Sequence, residues 1–198
     1  MQTTIDNLRK NGFEVIEVNS EDEALEVAKG FVKPGLKVGL GGSTTVAQIG
    51  LLSWLSGQED VLLSNQYEAG ISMEENVERR RQGLVSDLYI TGCNAITQRG
   101  ELVNADGDGN RVAAQIFGPK KVLMIVSKNK IVQSVKEGFG RIRGISAPKN
   151  IERMNAKAIS MGKEPRYNEE NIANKFAFIT ADKPGRTTII LVSEALGY

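Results

Sequence analysis

Histidine is absent from the 198 residues of this sequence, and cysteine occurs only once, at position 93. Without histidine the chain cannot form a Ser-His-Asp or Cys-His nucleophile system, or a histidine-based metal site. One cysteine is too few for an internal disulfide, a four-cysteine zinc site or an iron–sulfur cluster held by this chain alone. Any catalysis must therefore use Asp, Glu, Lys, Ser, Thr, Tyr or backbone dipoles, and we predict no metal and no cofactor.

Long apolar runs and an excess of one charge are also missing. No stretch approaches the roughly 20 apolar residues that span a bilayer, and the first residues lack the basic-then-apolar layout of a secretion signal. The 25 basic and 24 acidic residues nearly cancel. The one basic run, Arg79 to Arg81, lies among glutamates, so nucleic acid is not a predicted partner. We expect a cytoplasmic protein that does not associate with membranes.

Strand-like and helix-like segments alternate along the chain, as expected for a mainly parallel sheet covered by helices. We predict a single domain, residues 1–198, of the α/β class, with a mostly parallel sheet, helices on both faces and a small β-hairpin insertion near Gly100. Residues 161–175 are polar and are predicted to be irregular. The predicted strands are 13–18, 37–40, 60–63, 87–91, 101–104, 121–126, 176–180 and 187–192. The predicted helices are 3–11, 20–31, 46–52, 72–83, 112–116, 133–143 and 148–160.

A glycine-rich turn follows the strand predicted at 37–40. It places free backbone N–H groups and hydroxyls at the start of a helix, where the dipole and the donors favour an anion. It is not a Walker A loop, because no Gly-Lys-Ser/Thr follows, and it lacks the GxGxxG dinucleotide fingerprint. A tight turn with a Ser or Thr helix cap explains it equally well. The predicted ligand-binding residues here are Gly41, Gly42, Ser43, Thr44 and Thr45.

Two further polar segments could bind a ligand. Residues 92–94 end a strand, where open α/β sheets place their ligands. Residues 104–111 are rich in Asn, Asp and Gly, although Asx turns explain part of this composition. Their spacing is similar to the start of a calcium loop, but Phe117 stands where the twelfth-position Glu is required. We predict that these segments and the glycine-rich turn form one cleft, with Arg111 as the bidentate partner of an oxyanion. The ligand-binding residues predicted here are Gly92, Asn94, Asn104, Asp106, Gly107, Asn110 and Arg111.

Few side chains are candidates for chemistry. Glu68, Glu101 and Asp106 are weak candidates for an acid, base or nucleophile, and a solvated surface carboxylate is the more ordinary interpretation of Glu68. We interpret Cys93 as a buried small hydrophobe, because only the glycine-rich loop could lower its pKa. Trp54 is predicted to be a core or interface residue, which leaves a homodimer open.

Several motifs along the chain occur in the segments 11–13, 41–43, 86–96, 100–107, 109–113, 118–122, 129–132 and 196–198. Together these motifs resemble the LUD (lactate utilisation) domain family. The resemblance extends over essentially the whole chain. It implies a fold similar to the ribose-phosphate isomerase and CoA transferase group, with the ligand at the strand ends. It also implies a link to the bacterial oxidation of L-lactate to pyruvate, beside an iron–sulfur partner protein.

Two departures limit what the resemblance implies. Many stand-alone members of the family look as though they carry a cysteine cluster between an Asn-Ala motif and the last strands. In this chain the corresponding residues, 157–185, contain no cysteine. The segment Thr91 to Ile96 is similar to the Gly-Ala-Asp strand end of sugar-phosphate isomerases, but Asn94 stands in place of their catalytic Asp. An amide is not a general base, so isomerase chemistry by that route is not expected.

The sequence therefore favours a protein that binds a small anionic metabolite, carrying carboxylate or phosphate, as an accessory component of lactate or related organic-acid oxidation. One alternative is an enzyme that acts on acyl-CoA or sugar-phosphate substrates through one of the candidate carboxylates. Another is a regulatory domain without catalysis.

Overall fold

The computed structural model describes residues 1–198 as two β-sheets with helices packed around them. In chain order the strands are β1 (Glu14–Val18), β2 (Lys37–Leu40), β3 (Leu62–Ser64), β4 (Leu88–Thr91), β5 (Ala95–Thr97), β6 (Leu102–Asp106), β7 (Lys121–Ser127), β8 (Ile131–Val132), β9 (Lys175–Ile179) and β10 (Thr187–Val192). The helices are α1 (Gln2–Lys10), α2 (Glu21–Lys29), α3 (Thr44–Gln48), α4 (Leu51–Ser56), α5 (Met73–Gly83), α6 (Asn110–Ile116), α7 (Val135–Arg141) and α8 (Ala147–Ser160). A 3₁₀ turn spans Lys128–Lys130, and a π-helical turn at Ile142–Ser146 joins α7 to α8.

The main sheet has six strands in the order β1-β10-β7-β4-β2-β3, and every neighbouring pair is parallel. Side chains alternate across it, so Leu123 and Ile125 of β7 join the apolar cluster that contains α2 and α4. Val122 and Met124 point the other way and pack with α1 and with residues of the hairpin. The predicted α/β class, with a mostly parallel sheet and helices on both faces, is confirmed.

The predicted hairpin belongs to a second sheet of four strands, in the order β8-β5-β6-β9. Strands β5 and β6 pair antiparallel around Gly100, as expected, but β9 extends the hairpin on one side and β8 on the other. The last two strands therefore lie in different sheets. All six residues of β10 are buried, which suits a central parallel strand, whereas Phe176 and Phe178 of β9 are exposed.

The helix predicted over residues 46–52 is two short helices instead. Gly50 lies between α3 and α4 with φ of 77°, a left-handed conformation that glycine adopts without strain. Residues 161–174 contain no helix or strand, as predicted. Trp54 is half-buried, against the cluster that contains α2, with the Lys29 ammonium 5.8 Å from its ring centre. None of the helices is long and apolar enough to cross a bilayer.

Candidate functional site

A cavity of about 250 Å³ lies where the carboxyl ends of the parallel strands meet the second sheet. The turns after β2, β4 and β7 contribute to its wall, as does the loop that follows β6. This is the edge at which open parallel sheets bind ligands. The opposite wall comes from α8 and from the irregular segment that includes Tyr167. The structure thus brings the glycine-rich turn and the two polar segments together around one space.

Most of the predicted ligand-binding residues line this cavity. Gly41, Thr45 and Asn104 lie behind the wall and are buried. A role in ligand binding remains a prediction for the set, apart from the oxyanion-binding role of Arg111, which its contacts correct below. The predicted residues that line the cavity are Gly42, Ser43, Thr44, Gly92, Asn94, Asp106, Gly107, Asn110 and Arg111.

The glycine-rich turn caps a helix, and it also leaves backbone N–H groups without a partner in the protein. Ser43 Oγ accepts a hydrogen bond from Val46 N at 3.2 Å and so caps α3. The Gly41 N–H donates to the Ile90 carbonyl at 2.8 Å, which fastens the turn to β4. The N–H groups of Gly42 and Ser43 make no hydrogen bond within the protein. Because Gly42 is exposed and Ser43 half-buried, these donors are free for water or a ligand.

Close approach of β2 and β4 requires a glycine at position 41. A β-carbon there would lie 2.8 Å from Thr91 Cβ and 3.0 Å from the Tyr89 ring, both of which are buried. We expect Gly41→Ala to lower the free energy of unfolding by about 1–3 kcal/mol, the usual cost of overpacking. Urea denaturation would measure this. Gly140→Ala is the control, because a β-carbon at Gly140 meets nothing within 4 Å and should leave stability unchanged or slightly increased. Equal stabilities for the two variants would contradict the prediction.

Arg111 is held by the protein on every side. Its Nε donates to Asp106 Oδ1 at 2.8 Å, and one terminal nitrogen donates to Asn94 Oδ1 at 2.8 Å and the Ala105 carbonyl at 2.7 Å. The other terminal nitrogen reaches Asn104 Oδ1 and the Gly92 carbonyl, each at 3.5 Å. Arg111 is only 8% exposed. The expectation that it serves as the free bidentate partner of an oxyanion is therefore corrected: its donors are used to join the loops.

Asp106 and Asn94 are partners in the same network. Asp106 accepts from Arg111 and from Val112 N at 2.9 Å, which satisfies the start of α6. It is therefore a structural carboxylate and a poor candidate for an acid or base. Asn94 Oδ1 also accepts from Ala105 N at 3.0 Å, and its amide nitrogen has no partner in the protein. Since Asn94 lines the cavity, this N–H₂ group is available to an acceptor on a ligand.

The sequence analysis did not identify Lys130, which is the least ordinary group in the cavity. Its side chain lines the cavity, yet the residue is only 3% exposed. Its Nζ contacts Thr45 Oγ1 at 2.9 Å and forms no ion pair. Burial lowers the pKa of Lys130 to about 8, and the nearby guanidinium groups of Arg141 and Arg111 act in the same direction. The only sequence signal was its place in the segment 129–132, which matched the family.

Further cations surround the mouth of the cavity. Arg153 is exposed and bonds Tyr198 Oη at 3.0 Å and Asn150 Oδ1 at 2.6 Å. Lys157 is exposed one turn further along α8. Neither forms an ion pair, whereas Arg80, on α5, pairs with Asp108.

Tyr67 contributes a hydroxyl group to the cavity, beside Gly42 of the glycine-rich turn. It accepts a hydrogen bond from Gln66 Nε2 at 3.0 Å. The residue as a whole is 36% exposed, but desolvation at the hydroxyl end raises the pKa of Tyr67, so this group is a neutral hydrogen-bonding group over the physiological range.

The remaining candidates for chemistry lie elsewhere or are inert. Glu68 pairs with Arg79 at 2.5 Å and does not line the cavity. Glu101 accepts from Thr97 Oγ1 at 2.8 Å in the hairpin, again outside the cavity. Cys93 borders the cavity, but it is 2% exposed, and burial raises the pKa of its thiol, which confirms the interpretation as a small hydrophobe. No three acidic or sulfur side chains form a group that could hold a metal ion.

Comparison with known proteins agrees with this architecture. The family model described as LUD domain matches residues 1–192. The crystal structure of a DUF162 family protein from Deinococcus radiodurans is similar, with a TM-score of 0.53 and 18% identity over 97% of this chain and 95% of that chain. Ribose 5 phosphate isomerase A from Neisseria gonorrhoeae gives a TM-score of 0.36 and 16% identity over 82% of this chain and 69% of that chain. No curated protein matches the sequence. Because the family model matches almost the whole chain, this protein belongs to the LUD domain family.

Proposed function

We propose that the protein binds a small organic anion, carrying a carboxylate or phosphate group, in the cavity between the two sheets. We further propose that it does so as an accessory component in the oxidation of L-lactate or a related organic acid. The metabolic setting rests on the family, and the class of ligand rests on the charges of the cavity.

The observation that carries the proposal is an excess of unpaired positive charge. Five Lys or Arg residues line the cavity against two carboxylates. Both carboxylates already have partners, since Asp106 pairs with Arg111 and Asp108 with Arg80. Three cations are left without an ion pair, in a chain whose net charge is only +1. A concave site lined by charge of one sign attracts the opposite charge more strongly than a flat surface does. The unpaired cations are Lys130, Arg153 and Lys157.

The size of the cavity restricts the ligand. Pockets for drug-sized ligands have volumes of roughly 300–1,000 Å³, and this cavity has about 250 Å³. A metabolite of a few carbon atoms fits within it, whereas an intact CoA ester would have to leave most of its length outside. The cavity also offers no unpaired carboxylate as an acid or base, which weakens the enzyme alternative built on Glu68, Glu101 or Asp106.

An accessory role requires that electrons leave the substrate through another protein. This chain has one cysteine and no histidine, so it cannot hold an iron–sulfur cluster by itself. We propose an iron–sulfur protein as the partner that accepts the electrons.

Isothermal titration calorimetry with L-lactate, pyruvate, inorganic phosphate, ribose 5-phosphate and CoA would test the proposal. We expect at least one of the small anions to bind saturably. Arg153→Met should raise the Kd of that anion by about ten- to a hundredfold, because a charge-assisted hydrogen bond contributes about 1.5–3 kcal/mol. Arg143→Met is the matched control, since Arg143 is exposed and lies outside the cavity.

Two results would contradict the proposal. One is that none of these anions produces saturable heat with the wild-type protein. The other is that Arg153→Met and Arg143→Met weaken binding equally, because binding would then depend on overall charge and not on this cavity.

A further inference from the structure

The Lys130 amine is buried with very few partners. As an ammonium group it would have three donors, and its one partner is the hydroxyl oxygen of Thr45. A buried ammonium without a carboxylate is costly, because its lost hydration is replaced only in part. The neutral amine has a lone pair and loses much less on burial.

Residues 196–198 pack beside the turn that carries this amine and against its partner Thr45. Ser127 Oγ accepts a hydrogen bond from Leu196 N at 2.9 Å, which fixes the tail beside the 3₁₀ turn that carries Lys130. Gly197 follows and lies directly against the Thr45 hydroxyl. Tyr198 then lines the cavity itself. The amine is therefore covered on the protein side, and the cavity is the space from which a ligand could reach it.

We propose that Lys130 captures the carbonyl group of a small anionic aldehyde or ketone as an imine. This inference rests on the proposed function and narrows its ligand to compounds that carry both a carbonyl and a carboxylate or phosphate group. The unpaired cations at the cavity mouth bind the anionic group, and Lys130 bonds covalently to the carbonyl carbon.

The reaction needs no oxidant or reductant. The lone pair of neutral Nζ attacks the carbonyl carbon, the C=O π electrons move to oxygen, and a carbinolamine forms. The nitrogen then loses its two protons, the oxygen gains two, and the oxygen leaves as water. A C=N bond has replaced the C=O bond, and hydrolysis reverses the step. A desolvated lysine close to other cations is the usual setting for this chemistry, because burial leaves part of the amine neutral near pH 7. Burial lowers the pKa of Lys130 to about 8, in agreement with that requirement.

Reductive trapping of the full-length protein would test this inference. The protein is incubated with pyruvate or dihydroxyacetone phosphate and sodium cyanoborohydride, and the modified lysines are identified by peptide mass mapping. We expect at least about tenfold more adduct on Lys130 than on Lys128, the exposed lysine of the same turn. L-lactate, which has no carbonyl other than its carboxylate, should give none. Below pH 8 the initial trapping rate should rise about tenfold per pH unit, with the fraction of neutral amine.

Lys130→Arg keeps the charge but cannot form the adduct, and Lys128→Arg is the matched control that should retain it. Equal labelling of exposed lysines, or no adduct on Lys130 of the wild-type protein, would overturn the inference whether or not the variants fold. Calorimetric binding of pyruvate with no adduct would end this inference and leave the proposed function standing. If there were no adduct on Lys130 and none of the anions in the calorimetric series bound saturably, both this inference and the proposed function would be wrong.

Discussion

Arg111→Ala is expected to lower the free energy of unfolding by about 3–5 kcal/mol, the cost of removing one member of a buried ion pair. The side chains of Arg111 and Asp106 are 9% and 11% exposed. Without the guanidinium group, the Asp106 carboxylate loses its countercharge, and the Ala105 carbonyl loses a buried hydrogen bond. The loops after β4 and β6 would then be joined mainly through Asn94 and Asn104. Chemical denaturation followed by circular dichroism would measure the loss.

Arg81→Ala is the control for this variant, because the Arg81 side chain is 72% exposed and its pairing with Glu78 is long, at 3.7 Å. It should change stability by less than about 1 kcal/mol. The double variant Arg111→Met, Asp106→Leu should recover part of the loss, because no charge is then left unpaired. If Arg111→Ala were as stable as wild type and lost only ligand binding, Arg111 would be a binding residue and the structural assignment would be wrong.

Lys130→Met is expected to stabilise the protein at pH 7 by about 3 kcal/mol. The ordinary pKa of lysine, 10.5, applies to the unfolded chain, whereas the pKa of folded Lys130 is about 8. Between these two values the unfolded chain binds more protons, so the stability of the wild-type protein should rise with pH. Below pH 8 both states are protonated and the full penalty applies, at about 1.4 kcal/mol per unit of pKa shift.

The difference in stability between Lys130→Met and wild type isolates this residue, because the other titrating groups cancel. It should be largest and constant below pH 8, fall as the pH rises, and vanish near 10.5. Urea denaturation from pH 6.5 to 10.5 would follow it, with Lys128→Met as the exposed control. A difference that does not change with pH would show that packing of the methionine, not charge, is responsible. A protein often becomes more stable when a residue that serves its function at a cost in stability is replaced. Stabilisation by Lys130→Met would fit such a role for Lys130.

Much of the fold follows from local patterns in the sequence. Alternation and runs of apolar residues located the strands and helices, and Gly100 marked the hairpin turn, in which its φ is positive. Parallel strands then place the loops after β2 and β4 at one edge, which is why the cleft could be predicted. The absence of histidine and the single cysteine excluded several kinds of chemistry through composition alone. These conclusions need only composition, periodicity and the geometry of a parallel sheet.

The placement of β9 and β10 could not be predicted in the same way. Both segments were predicted as strands, and only a short turn separates them in the sequence. Strand β10 lies between β1 and β7, and β9 pairs with β6. These pairings join residues far apart in sequence, and a segment's own pattern does not select between such partners.

The sequence by itself determined which residue types reach the ligand edge, and the tertiary structure decided which of them remain free to act there. From the sequence, Arg111 was the residue type best suited to bind an anion. In the fold, however, Asp106 and Asn94 lie close enough to accept its hydrogen bonds. Lys130 lies in a polar turn, where lysine is ordinarily solvated. It is nevertheless buried, in a region where Leu196 to Tyr198, more than sixty positions later in the sequence, pack beside that turn. Burial and hydrogen-bond satisfaction depend on groups brought together by the whole fold, and for that reason neither could be derived from a local pattern.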